Sequence, residues 1–289
     1  MIRITVSVLF TIFMVSIVYA SQSTITEADG YACMGYDKSR KQTEDEAFAN
    51  ARRKAAEYAS TYIRGETHVK DFRLEKDLID AYSNATVKIV QELEREWYKD
   101  ASSGDCFRVK VKAEVVPDDQ MMSRILKGPE VKDDPSAPLH VSVWTDKKEY
   151  SQSEKVRIYI RGNKPFYARV LYRDGKKELH QLLPNPYRSD YYFNGGVVYE
   201  IPSANDQFEL EVSPPFGEEN IIMYASTSPL GDLSLQDAGG IYQVKTAAKD
   251  VGEKTRGVKI REKAKGKGTA ASEFFEGTLT IKTGREGGK

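Results

Sequence analysis

The sequence predicts an α+β protein in which an N-terminal strand–helix–strand–strand domain precedes an all-β, sandwich-like domain. Three features point there. Between Leu139 and Leu230, short alternating runs follow one another, each bounded by Gly, Pro, Asn or Asp-Gly. Between Thr43 and Tyr62, apolar residues recur instead at helical spacing. A stretch rich in Pro and Asp, Gly128 to Pro138, separates the two patterns, and 132–138 within it is read as the linker.

The chain of 289 residues has room for about two domains. Its 43 basic residues equal its 43 acidic ones, so the overall balance gives no reason to expect nucleic acid as a partner. Residues 1–20 differ from the rest. Arg3 precedes an apolar run from Val6 to Val18, and Val18-Tyr19-Ala20 offers the small residues that signal peptidase requires. A secretory signal peptide cut before Ser21 is expected; an uncleaved anchor is the alternative, and the run is short for spanning. No later segment approaches membrane-spanning length. The expected location is periplasmic or extracellular.

Export bears on the two cysteines, Cys33 and Cys106. In an oxidising compartment an isolated pair favours a bridge, and both residues fall in predicted strands. A bridge closing a loop of this length stabilises by about 4–5 kcal/mol in the chain-entropy model. A reactive thiol is the alternative, but no CxxC pair accompanies either residue.

In the first domain (21–131), Tyr31 to Tyr36 reads as a strand. Thr43 with Glu46 forms a candidate capping box opening a helix whose face carries Phe48, Ala51, Ala55, Tyr58 or Ala59, and Tyr62. Gly65 supplies its stop. Leu74 to Tyr82 can make a second short helix. Val87 to Trp97 and Phe107 to Val115 keep period-two spacing, as an antiparallel pair of half-buried strands does.

In the second domain (139–283), strands are expected at Val141–Val143, Val156–Ile160, Ala168–Tyr172 and Phe208–Val212. Asp174-Gly175 is expected at the centre of a hairpin turn. Beyond Gly231, Gly240–Thr246 and Val258–Arg261 alternate weakly and Phe274–Thr283 reads as a last strand, with 284–289 as a frayed tail. Eight basic residues lie between Lys249 and Lys267 against three acidic ones. A solvated hairpin accounts for them; a contact to an anionic envelope polymer or acidic partner is the functional alternative.

Certain residues also carry a resemblance. Asp146-Lys147, Glu149-Tyr150 and Ser153-Glu154, then Leu183-Pro184-Asn185, Gly195-Gly196, Ile201-Pro202 and Pro215-Phe216-Gly217-Glu218 leading to Ala225-Ser226, resemble the bacterial family called domain of unknown function 4384. Ser153 departs from it, since the family usually has glycine before the glutamate. Thr255-Arg256-Gly257 with the final strand is similar to that family's closing segment. The resemblance implies the fold and no assigned activity. Ala51-Arg52-Arg53-Lys54-Ala55-Ala56 and Phe107 to Ala113 are similar to the N-terminal domain of flagellar assembly protein T and related small lipoprotein domains. That similarity implies an exported assembly or envelope-associated module.

No catalytic motif stands out. His68, His140 and His180 are scattered without the spacing of a zinc site. Neither GxxxxGK[ST] nor GxSxG occurs, and Asp232 with Asp237 lacks calcium-loop spacing. Asp133-Asp134 falls in the linker, and Asn84-Ala85-Thr86 matches a glycosylation sequon, a single match that carries little weight beside a resemblance to a bacterial family. No metal and no cofactor is expected. Tyr187, Arg188, Tyr191 and Tyr192 form the cluster with binding character, because tyrosines beside arginine give area and hydrogen bonding at low entropy cost. Packing on the sandwich rim is the plainer account of them. The expectation is a non-catalytic, exported binding or assembly module of the cell envelope whose partner is an unidentified envelope protein or polymer. Its rival is an envelope polymer hydrolase.

Overall fold

The computed structural model describes residues 19–66, 72–126, 133–257 and 271–285. The architecture is α+β, with an N-terminal strand and helix region followed by a curled, sandwich-like multi-strand sheet. The N-terminal elements are β1 (Tyr19–Cys33), α1 (Arg40–Glu66), α2 (Phe72–Ser83), β2 (Thr86–Asp100), β3 (Gly104–Val116) and α3 (Asp119–Ile125). Then come β4 (Val141–Thr145), β5 (Glu149–Ser151), β6 (Ile158–Gly162), β7 (Phe166–Arg173), β8 (Leu179–Leu183), β9 (Tyr192–Phe193), β10 (Tyr199–Ile201) and β11 (Glu218–Ser226). Last are β12 (Leu235–Asp237), β13 (Tyr242–Val244), α4 (Ala248–Arg256) and β14 (Ala271–Gly284).

Eleven strands form one sheet, in the order β12-β13-β8-β7-β11-β14-β1-β3-β2, with β5 added beside β14 and β9 beside β7. A smaller sheet, β10-β6-β4, packs over it. Their shared core holds Val143, Ile158 and Ile160 from one side and Phe166, Met223 and Phe275 from the other. The central strands are buried on both faces. Val170, Met223 and Phe275 face that core, whereas their neighbours Leu171, Ile222 and Phe274 face a second one closed by Leu230, Val244 and Val251. Burial on both faces is why Ile221-Ile222-Met223-Tyr224-Ala225 is continuously apolar rather than alternating.

Several expected boundaries move. The first strand starts at Tyr19 and ends at Cys33, so Tyr36 lies outside it, fully exposed. Tyr19 and Ala20 pair with Thr278 and Gly277; a chain cut before Ser21 loses those two pairs and keeps Ser21↔Glu276 through Thr26↔Ala271. Residues 1–18, which carry the expected signal, lie outside the described residues. Among the described residues no helix is long and apolar enough to cross a membrane.

Helix α1 starts one capping motif earlier than Thr43. Ser39 and Gln42 satisfy each other's backbone: Gln42 N–H donates to Ser39 Oγ (3.3 Å) and Ser39 N–H donates to Gln42 Oε1 (2.8 Å). Thr43 is buried inside the helix. The buried stripe is Ala47, Ala51, Ala55, Ala59 and Ile63, one residue per turn, which brings the helix axis close to β1 and β3. Cys33 and Cys106 face each other across β1 and β3 and are disulfide-bonded, as expected.

The expected linker is tied down at its C-terminal end. Asn163 Nδ2 donates to the carbonyls of Asp134, Ala137 and Pro138, and Gln22 Nε2 donates to Leu139 O (2.8 Å). Phe208–Val212 is not a ladder strand; it is held to Ser153–Val156 by three backbone hydrogen bonds and one isolated bridge. Of the basic C-terminal stretch, 248–256 is helix α4 rather than a hairpin, and 258–270, with Val258–Arg261, lies outside the described residues. His68 likewise lies outside them.

Candidate functional site

The β7–β8 hairpin builds one wall of a cavity of about 610 Å³. Its turn differs from the expected two-residue Asp174-Gly175 type. Asp174 N–H donates to Glu178 O (3.1 Å) and Lys177 N–H to Asp174 O (2.9 Å), giving a loop of Gly175, Lys176 and Lys177. The left-handed residue is Lys177 (φ 69°), not Gly175, as in a type I turn closed by a bulge. Asp174 Oδ1 fixes the loop by accepting from the N–H groups of Lys176 (2.9 Å) and Glu178 (2.8 Å). Gly175 is required for approach instead: a Cβ there would stand 2.9 Å from Phe216 O.

This turn folds Asp174, Glu178 and His180 together, with donor atoms all within 4.8 Å of one another. His180 Nε2 lies 3.8 Å from Asp174 Oδ2. On the next strand, the register that pairs Asn220 with Arg173 brings Glu219 level with Asp174. Glu219 is 1% exposed; its Oε1 accepts from Thr283 Oγ1 (2.8 Å), and Oε2 has no hydrogen-bond partner. Burial pushes the Glu219 carboxyl above the usual carboxylate range, against the pull of the Tyr172 and Thr283 hydroxyls. Burial also pushes up the Tyr172 phenol, and Glu219 beside it adds to that.

The cavity floor is apolar, with Val156, Ile158, Leu182, Leu210 and Ile221. Tyr187 and Phe208 stand at its edge, stacked at 6.3 Å with 16° between ring planes. Gly240 lets the Tyr187 ring lie flat there, since a Cβ would meet it at 2.8 Å. Polar groups at the mouth are mainly acidic: Glu178, Glu209 and Glu211, with Lys176 the sole lysine or arginine of the lining.

The four residues singled out from the sequence separate into different surroundings. Tyr187 is 55% exposed and borders the cavity. Arg188 is turned inward, paired with Asp206 (3.0 Å) and set over the Phe193 ring at 5.4 Å. Tyr192 is exposed on β9, 4.9 Å from the Tyr167 ring, and Tyr191 packs half-buried against that same ring and the core. The turn that places them is held by Asn185, whose Oδ1 accepts from the N–H groups of both Tyr187 (2.9 Å) and Arg188 (2.8 Å).

The Asp174–Glu178–His180 grouping was not anticipated from the sequence. In the sequence Asp174 is a turn residue and His180 stands apart from the other histidines and the cysteines. The available signal was the hairpin itself, because folding at Asp174 brings residues four and six positions later onto the same face.

Residues 149–229 match the model of a protein family. It is Domain of unknown function (DUF4384). The matched region runs from β5 to just past β11, so it contains the hairpin, the Tyr187–Tyr192 connection and most of the cavity lining. No curated protein and no solved structure matches the chain. The similarity of the N-terminal half to flagellar assembly protein T has no counterpart among these matches.

Residues carrying the DUF4384 resemblance form a hydrogen-bonded corner. Tyr150 Oη donates to Asp146 Oδ1 (2.7 Å), Lys147 pairs with Glu154 (2.8 Å), and Glu154 Oε2 accepts from Ser151 N–H (2.8 Å). Ser153 stands there at φ 66°, a conformation that favours glycine. Ser153→Gly is therefore expected to stabilise the protein by about 0.5–1 kcal/mol. A higher urea midpoint at unchanged slope is the result to look for; a lower midpoint would contradict the strain.

Proposed function

We propose that the protein is an exported, non-catalytic binding module of the bacterial cell envelope, which seats an extended segment of an envelope protein or polymer in the cavity beside β8. The supporting observation is the paired ring edge, Tyr187 stacked on Phe208, above an apolar floor. Half-exposed aromatics on a rigid sheet give contact area at small entropic cost. The expected signal peptide and the Cys33–Cys106 bridge support placement in the periplasm or outside the cell.

The test is capture from envelope extract by the mature chain, its Tyr187→Ala variant and a Tyr191→Ala/Tyr192→Ala variant. Tyr187→Ala is expected to weaken capture about thirtyfold, as loss of an anchoring ring does, with unchanged melting. Tyr191→Ala/Tyr192→Ala is expected to lower the melting temperature through Tyr191, which packs on the core. Undiminished capture by Tyr187→Ala would remove the cavity edge from the interface.

One observation favours the rival reading, an envelope polymer hydrolase. Asp174 and Glu219 share the cavity, and a carboxyl with a raised pKa suits a general acid. Against it, Glu219 is 1% exposed, whereas a general acid must reach the scissile bond. Release of soluble fragments from purified envelope polymer, abolished by Glu219→Gln, would establish hydrolysis in place of simple binding.

A further inference from the structure

We infer that the end of the β7–β8 hairpin is a divalent-cation site, of a chemistry suited to Zn2+, with Asp174, Glu178 and His180 as ligands and Glu219 as a further carboxylate lining the same cavity. The inference goes beyond the binding reading and does not depend on a partner occupying the cavity.

Three donor groups of the right kind converge without being consumed by one another. Asp174 uses Oδ1 for the two backbone N–H groups of its turn, which leaves Oδ2 facing His180. At 3.8 Å, the His180 Nε2 to Asp174 Oδ2 separation is too long for a hydrogen bond and close to the spacing of two ligands on one metal ion. Nδ1 of His180 is buried and has no hydrogen-bond partner. Glu178 is exposed, and its carboxylate already lies within 4.8 Å of the other two donors.

Glu219 is a separate observation that points to the same ion. It belongs to another strand, is almost wholly buried, lines the same cavity and leaves Oε2 without a partner. A buried carboxylate oxygen that makes no hydrogen bond, with the Tyr172 hydroxyl acting on the group from nearby, is costly, and a cation would satisfy it. The lining carries Asp174, Glu178, Glu211 and Glu219 against Lys176, with Glu209 paired to Lys155 (2.6 Å), so the cavity also attracts positive charge. One imidazole with carboxylates suits Zn2+ or a similar first-row ion better than Ca2+ or Mg2+, which take oxygen ligands.

The experiment is calorimetric titration of the mature chain with zinc chloride, repeated with calcium chloride and on the Glu178→Gln, His180→Gln and Glu219→Gln variants. One saturable Zn2+ site is expected, with affinity at least about tenfold weaker in each variant. Zn2+ should also raise the melting temperature of the parent chain, and do so less in the variants. Glu178 is exposed and outside the core, so Glu178→Gln stays folded and its result stands even where Glu219→Gln does not fold. No Zn2+ binding by the parent, or equal binding by Glu178→Gln and His180→Gln, overturns the site. Binding of Ca2+ alone, indifferent to His180→Gln, overturns the assignment of its chemistry.

Discussion

Arg256→Met is expected to cost about 3–5 kcal/mol of stability, because it strands a buried carboxylate. Arg256 projects from α4 into the seam between the two halves of the chain. Its Nε donates to Glu114 Oε1 of β3 (2.6 Å) and its Nη2 to Glu276 Oε2 of β14 (2.5 Å), and its guanidinium lies 5.0 Å from the Phe274 ring. Burial opposes the charge, but Glu114 and Glu276 outweigh burial and raise its pKa. Glu114 is 4% exposed and, among the described residues, keeps the Ser23 hydroxyl as a neutral donor. Methionine fills part of the space and leaves that carboxylate without a counter-charge. Adding Glu114→Gln should recover most of the loss, since a neutral amide tolerates the site. Urea midpoints of the two single variants and the double variant check this. Additive losses would show that Arg256 acts through packing alone.

Gly30→Val is the second large effect, on the order of 3 kcal/mol or more, in the upper range of overpacking. A Cβ at Gly30 would stand 2.0 Å from Ala47 O and 2.5 Å from Ala51 N. Both are helix backbone, so no side-chain rotation relieves the clash; α1 must lift from β1. Lifting it opens the alanine stripe that rests on Phe107, Val109 and Val111. Ala51→Gly removes only the Cβ contact at 2.9 Å and should rescue little. Full rescue by Ala51→Gly would mean that the helix can shift to accommodate a side chain on β1. Thermal melts of the single and double variants decide it.

Much of the architecture was legible because periodicity reports one-sided burial. The alternation from Phe107 to Val111, with Arg108 and Lys110 turned toward solvent, and the small-residue stripe of α1 each have a wetter face and a dry face, and both elements appear where expected; further along β3, Lys112 and Glu114 are buried as well. The signal weakens where both faces are dry. β11 carries a continuous apolar run, and β7 buries Ala168, Arg169, Val170 and Leu171 in succession, patterns that say strand but not neighbour. Tyr19–Gly30 was missed as a strand for a different reason. Its Thr24 and Thr26 are buried polar residues, and Thr24 meets the Tyr82 hydroxyl at 2.9 Å, a contact that only the folded chain supplies. The candidate site was the least legible part. Asp174, Glu178 and His180 look like ordinary strand polarity until the turn is drawn. Glu219 joins them only through a cross-strand register set far away in the sequence.

The pairing of β1 with β14 bears on the order in time in which the fold can be completed. Thr26 lies beside Ala271, and β14 separates β1 from β11, so the middle of the large sheet is filled by its last described strand. A chain delivered from its N-terminus exposes β1 and β11 to solvent, each missing its central neighbour, until residues 271–284 arrive. Such long-range closure is slow, and unpaired strand edges invite association with other chains in the interval. Until then a polypeptide of this design consists of two unfinished sheets. Truncation ahead of Ala271 would leave it so permanently, with the Glu114–Arg256 seam lacking Glu276 as well.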